Sequence, residues 1–139
     1  MPCVSEAANM SNIFVIILGF AVAAFLGGML RSLLSQWFPK RVGTFVANML
    51  ASLSAGLAIG FAMLIDTQDA SEFLPPVIAT GFAGALSTWS TLAAELSELI
   101  KRKQWRKLVR YLGFTLAVGL ILAHRGTVWA ARIYNGWGV

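Results

Sequence analysis

The sequence predicts an all-α membrane protein with four transmembrane helices, the third broken at mid-membrane. Three observations carry that prediction. Hydrophobic residues make up 58% of the 139-residue chain and charged residues 12%, far from the balance of a water-soluble domain. The stretch from Ile13 to Leu30 contains no polar side chain, whereas a soluble four-helix bundle needs a polar face on every helix. Finally, TGFAGALSTWST, Thr80 to Thr91, places glycines and hydroxyls inside an otherwise apolar run.

The chain reads as a single transmembrane domain, 1–139. Residues 1–12, MPCVSEAANMSN, have no Lys or Arg and so lack the basic start of a secretory signal. They are expected to form a short disordered tail, with the first span retained. Cys3 is the single cysteine, which excludes an intramolecular disulfide and a cysteine metal site.

A span needs about 20 mostly apolar residues to cross about 30 Å of hydrocarbon, and the expected spans are 13–30, 42–65, 73–95 and 108–123. In the second, Thr44, Asn48, Ser52, Gly56 and Gly60 recur at every fourth residue and share one helix face. Small residues at this spacing serve close helix packing. Asn48 also fits a polar path, because a buried amide has donors and an acceptor to satisfy. The loop that follows, DTQDASEF, carries Asp66, Asp69 and Glu72 and no base.

The third span holds the weak stretch. Glycine costs about 1 kcal/mol relative to alanine in a helix, and Ser and Thr can bond back to the backbone. The stretch is therefore a point of expected unwinding. Backbone groups freed at mid-depth are tolerated only where protein, water or an ion satisfies them, and discontinuous helices are where transporters and channels build ion sites. Glu95 and Glu98 lie near the basic end of this span and are expected to pair with the cluster KRKQWRKLVR that follows.

That cluster lies between two spans, where basic residues set orientation or contact anionic headgroups; nucleic acid is not an expected partner. In the fourth span Tyr111, Thr115 and Gly119 repeat the four-residue step. His124 and Arg125 mark its polar end, and 126–139, with Trp129, Arg132, Tyr134 and Trp137, reads as an interfacial tail.

All but two of the eleven basic residues, Arg125 and Arg132, fall in the loops after the first and third spans. The positive-inside rule then places both termini outside the cytoplasm, in a multi-pass protein of the cell membrane. No Asp, Glu, Lys or Arg lies in the interior of the first, second or fourth span; Arg110 is at the edge of the fourth. This argues against a proton-coupled pump or an exporter of cations. A neutral track of O–H and N–H donors suits a small anion that loses its water, since such donors bind without trapping; the same stripes could also only pack helices. Nucleophile and base pairs, metal-ligand clusters and phosphate loops are missing from the sequence, so no enzyme chemistry is expected.

Taken together, the GGMLR end of the first span (Gly27, Gly28, Arg31), the GTFVAN start of the second (Gly43, Thr44, Asn48), the GFAGALSTWST break, and Tyr111 with Thr115 resemble the Fluc fluoride channels. The resemblance runs from about Leu26 to about Gly119. It implies a passive fluoride-specific channel that exports cytoplasmic fluoride and confers fluoride resistance, built as an antiparallel dimer with a structural sodium ion at the interface. It further implies that backbone carbonyls of Gly84 and Ser87 hold the sodium. The implied anion pathway comprises Thr44, Asn48, Thr88, Trp89, Ser90, Thr91, Leu92, Tyr111, Thr115 and Gly119. No organic cofactor is implied.

The chain departs from the family pattern GGxTTFSTF, placing Trp89 and Leu92 where phenylalanines present ring edges, and Ala85 and Ser87 at two further positions. A carbonyl ligand does not depend on its side chain, so the sodium expectation is less affected than the aromatic one. The lopsided loop charge is a second departure, because a subunit that inserts both ways should have balanced loops. The second subunit is thus either the same chain or a paralogue of opposite bias. The alternatives are a small multidrug-type exporter of cationic compounds and a non-transporting membrane assembly subunit.

Overall fold

The helices follow from where the chain supplies apolar length and where it supplies stops. A computed structural model describes residues 3–64 and 74–136, with side chains over 13–64 and 77–136. It consists of α1 (Cys3–Trp37), α2 (Lys40–Leu64), α3 (Leu74–Leu86), α4 (Trp89–Lys101) and α5 (Trp105–Tyr134). Among the described residues, four segments are long and apolar enough to cross a membrane: Ile13–Trp37, Lys40–Leu64, Val77–Lys101 and Trp105–Tyr134. The third is α3 and α4 end to end.

The outer surface has the character of a protein dissolved in lipid. Phe14 is 68% exposed, Phe25 70% and Leu120 75%, an outward-facing apolar surface that a water-soluble bundle would bury. The interior is built from α2 against α5, α1 against α3 and α2 against α3. Leu34, Ala47, Ala51 and Leu86 form the buried cluster where α1, α2 and α3 meet.

Glycine makes the closest of these contacts possible. A Cβ on Gly56 of α2 would collide with the Ala123 carbonyl of α5, and one on Gly126 would lie 2.5 Å from the Leu53 carbonyl. The two backbones therefore touch at this crossing, the geometry that small residues permit in membranes. The four-residue stripe of α2 consequently has two parts. Gly56 and Gly60 pack on α5, whereas Thr44 and Asn48 bond to other elements, as described below.

Helix ends differ from the expected spans. The first helix runs on past Leu30 to Trp37 and stops before Pro39, whose missing N–H and ring disfavour continuation. Its start at Cys3 replaces the expected disordered tail. Residues 3–12 contain no Gly or Pro, so extending an existing helix through them avoids a new nucleation cost. Likewise α5 begins at Trp105 and continues through His124 and Arg125 to Tyr134, making the first part of the expected interfacial tail helical. It ends at Asn135 and Gly136, the latter at φ 66°, as a glycine stop does.

Between α4 and α5 the chain turns through a Schellman cap. Gln104 N–H donates to the Leu99 carbonyl and Lys103 N–H to the Ile100 carbonyl, both at 2.9 Å. Lys103 takes φ 55° there, a conformation usually left to glycine. The acidic loop with Asp66, Asp69 and Glu72, and Trp137 of the aromatic belt, lie outside the described residues.

Candidate functional site

The break in the third span falls at Ser87 and Thr88, not at the glycines of the stretch. Helix α3 passes through Gly81 and Gly84 without interruption; Gly81 instead makes room for Phe20 of α1. Thr88 is extended, at φ −147° and ψ 104°, and N-caps α4 by accepting the Thr91 N–H on its Oγ1 at 3.2 Å. A hydroxyl cap satisfies a donor that the start of any helix leaves unpaired.

Asn48 of α2 holds the break open. Its Oδ1 accepts the Thr88 N–H at 2.7 Å, and its Nδ2 donates to the Thr88 carbonyl at 3.4 Å. In an unbroken helix the Thr88 N–H would go to the Gly84 carbonyl. That carbonyl accepts the Ser87 hydroxyl at 3.2 Å instead. Gly84 is exposed, with nothing within 4 Å of where a Cβ would stand, so a second backbone or an ion has access to it. Carbonyl oxygens released by a break are suitable ligands for a hard cation.

Around the break are two cavities. One, of about 500 Å³, has Asn48, Ser87, Thr88, Trp89, Thr115 and Gly119 among its lining residues. Thr115 Oγ1 faces a particular problem: the residue is only 4% exposed, and its hydroxyl has no hydrogen-bond partner among the described residues. A buried hydroxyl without a partner costs about 1–3 kcal/mol, so this site is poised for a polar guest. The second cavity, of about 350 Å³, is bounded by Arg31, Thr44, Thr88 and Thr91 among others. Arg31 donates from Nη2 to Thr91 Oγ1 at 3.3 Å.

A third feature joins the two polar stripes. Glu95 of α4 is 7% exposed; its Oε1 accepts the Thr44 hydroxyl and its Oε2 the Tyr111 hydroxyl, each at 2.7 Å. The expected pairing of Glu95 with the basic cluster is thus corrected. Leu92, Glu95 and Leu99 are the buried residues of α4, so helical spacing turns Glu95 inward. Glu98, three residues on and exposed, does bind the cluster, through Arg102 at 2.6 Å. The position of Glu95 on that buried stripe was the signal available in the sequence.

The pathway residues therefore divide. Asn48, Thr88, Trp89, Leu92, Thr115 and Gly119 share the larger cavity. Thr44 and Tyr111 meet at Glu95, and Thr91 sits with Thr88 and Arg31. Trp89 is 70% exposed and Leu92 only 2%, so the two residues at the family's aromatic positions border the same cavity but differ in burial. Ser90 is exposed and lines neither cavity.

Comparison with known proteins adds to this geometry. A family model described as CrcB-like protein, camphor resistance, matches residues 18–127. The chain is 47% identical over 100 residues to a Corynebacterium diphtheriae protein named fluoride-specific ion channel FluC 2, covering 72% of this chain and 86% of the relative. It is 36% identical over 111 residues to a Geobacillus kaustophilus protein named fluoride-specific ion channel FluC 1, with 76% and 90% covered. A Methanococcus aeolicus protein named fluoride-specific ion channel FluC is 28% identical over 116 residues, with 81% and 92% covered.

Proposed function

The chain belongs to the CrcB-like family, and from that membership we propose that it is a subunit of a passive, fluoride-specific ion channel. It lets fluoride leave the cytoplasm down its electrochemical gradient, which confers fluoride resistance, and it performs no enzymatic step. The observation that carries this reading is the buried Thr115 hydroxyl, without a partner among the described residues, in a cavity shared with Asn48. A strongly hydrated anion needs replacement donors as it loses water. Thr115 O–H, the Asn48 amide and the Trp89 indole N–H supply them without formal charge.

The Thr44 and Tyr111 hydroxyls extend the track. Both are held by Glu95 oxygens, and an arriving anion would compete for the same two protons. Rotation of each hydroxyl between Glu95 and the ion provides the moderate binding that conduction requires. Reading the chain as a multidrug-type exporter is not favoured, because the relatives compared above carry the fluoride-channel name.

The working unit on this reading is an antiparallel dimer, with a sodium ion held by the Gly84 and Ser87 carbonyls of both subunits. The Gly84 carbonyl, on an exposed residue and relieved of the Thr88 N–H, supports that placement. The loop charge favours a single orientation with both termini outside the cytoplasm, hence a partner of opposite bias. Relatives numbered FluC 1 and FluC 2 in their names are in keeping with such pairs. Fluoride efflux from liposomes, measured with an electrode for the chain alone and with a paralogue, tests the function. Absence of flux in both forms would leave a non-transporting assembly role.

A further inference from the structure

We propose that the cavity between the start of α2 and the first three turns of α5 is a binding site for the phosphate headgroup of an anionic phospholipid. This cavity, of about 600 Å³, is lined by Arg41, Lys107, Arg110, Tyr111, Leu99 and Phe114. Its three cations come from two helices, and no carboxylate among the described residues neutralises them. Glu98 is paired with Arg102, and Glu95 is turned inward to Thr44 and Tyr111. Three unpaired cations around one concavity match a phosphate group.

The apolar part of the lining selects a lipid over a water-soluble anion. Phe114, one helical turn beyond Arg110, lines the cavity and is 61% exposed. It continues the cavity wall into a surface suited to acyl chains. Trp105, 56% exposed at the start of α5, is placed as an interfacial anchor. The cations belong to the loops that the positive-inside rule assigns to the cytoplasm, where anionic lipids concentrate and basic pockets between membrane helices bind their headgroups. A headgroup here would neutralise charge beside Tyr111, a residue of the track proposed above, yet the site itself does not depend on fluoride conduction.

Native mass spectrometry of the full chain, purified in detergent and offered phosphatidylglycerol or phosphatidylcholine, tests the site. The intact protein should retain phosphatidylglycerol in preference. Arg41→Gln, Lys107→Gln and Arg110→Gln should each weaken retention about five-fold, and the three combined by more. Lys101→Gln, Lys103→Gln and Arg106→Gln together, which remove as much charge outside the cavity, should leave it within about two-fold, allowing for residual long-range attraction. Equal retention of the two lipids, or an equal loss in the outside variant, would overturn the proposal. So would displacement of the lipid by inorganic phosphate at equal concentration, which would mark a water-soluble anion site. Should the combined cavity variant fail to fold, the single changes at the exposed Lys107 and Arg110 give the same readout.

Discussion

Asn48 engages both backbone polar groups of Thr88, accepting its N–H at 2.7 Å and donating to its carbonyl at 3.4 Å. One side chain on α2 thus replaces the helical partners that the break removes, and it does so at the depth where unsatisfied backbone is least tolerated. Asn48→Ala should lower the thermal stability of the purified protein by about 1–3 kcal/mol, the cost of a stranded buried donor, and slow fluoride flux. Asn48→Asp keeps an acceptor for the Thr88 N–H but turns a carboxyl oxygen toward the Thr88 carbonyl at mid-depth, so it should be no more stable than the alanine variant. Thermal unfolding in detergent, beside electrode-measured efflux, separates the two effects.

Tyr111→Phe removes the hydroxyl that Glu95 Oε2 accepts while keeping the ring. The expected result is a protein that elutes like the parent and conducts fluoride about ten-fold more slowly, the equivalent of one lost hydrogen bond of about 1.4 kcal/mol. Thr44→Val should act in the same direction through Oε1. Unchanged flux in both variants would reduce the Glu95 network to helix packing.

Gly56→Leu should be far more disruptive than either. Its side chain would have to enter space held by the backbone of Ala123, so α2 and α5 must separate, and overpacking of this kind costs about 1–3 kcal/mol or more. Size-exclusion chromatography should show loss of the folded species. Gly113→Leu is the matched control, since nothing lies within 4 Å of its missing Cβ.

A reporter fused to the C-terminus should be found on one side of the membrane only, outside the cytoplasm. Arg31, Lys40, Arg41 and the cluster from Lys101 to Arg110 outweigh Arg125 and Arg132 by enough to set orientation. Equal populations in both orientations would instead support a homodimer of dually inserted chains.

Hydropathy made the four spans legible, because bilayer thickness fixes the apolar length each must reach. It did not mark helix ends. Arg31 and His124 read as polar limits, yet neither stops a helix; Pro39 and Gly136 do. The break was expected from the glycines and the hydroxyls of its stretch; it lies at the hydroxyls, Ser87 and Thr88, and is held by Asn48. Propensity located the region, while a contact from forty positions away in the chain chose the residue. Glu95 was misread by its neighbours in sequence, the basic cluster, when its place between Leu92 and Leu99 on one face of α4 determined its surroundings.

The central claim, that this chain conducts fluoride, is tested most directly in liposomes loaded with fluoride and containing the purified chain, with and without a co-expressed paralogue. The account predicts rapid electrode-detected fluoride efflux in at least one of the two preparations, reduced by Asn48→Ala and by Tyr111→Phe. Efflux no faster than from protein-free liposomes in both preparations, from protein shown to be folded and inserted, would contradict it.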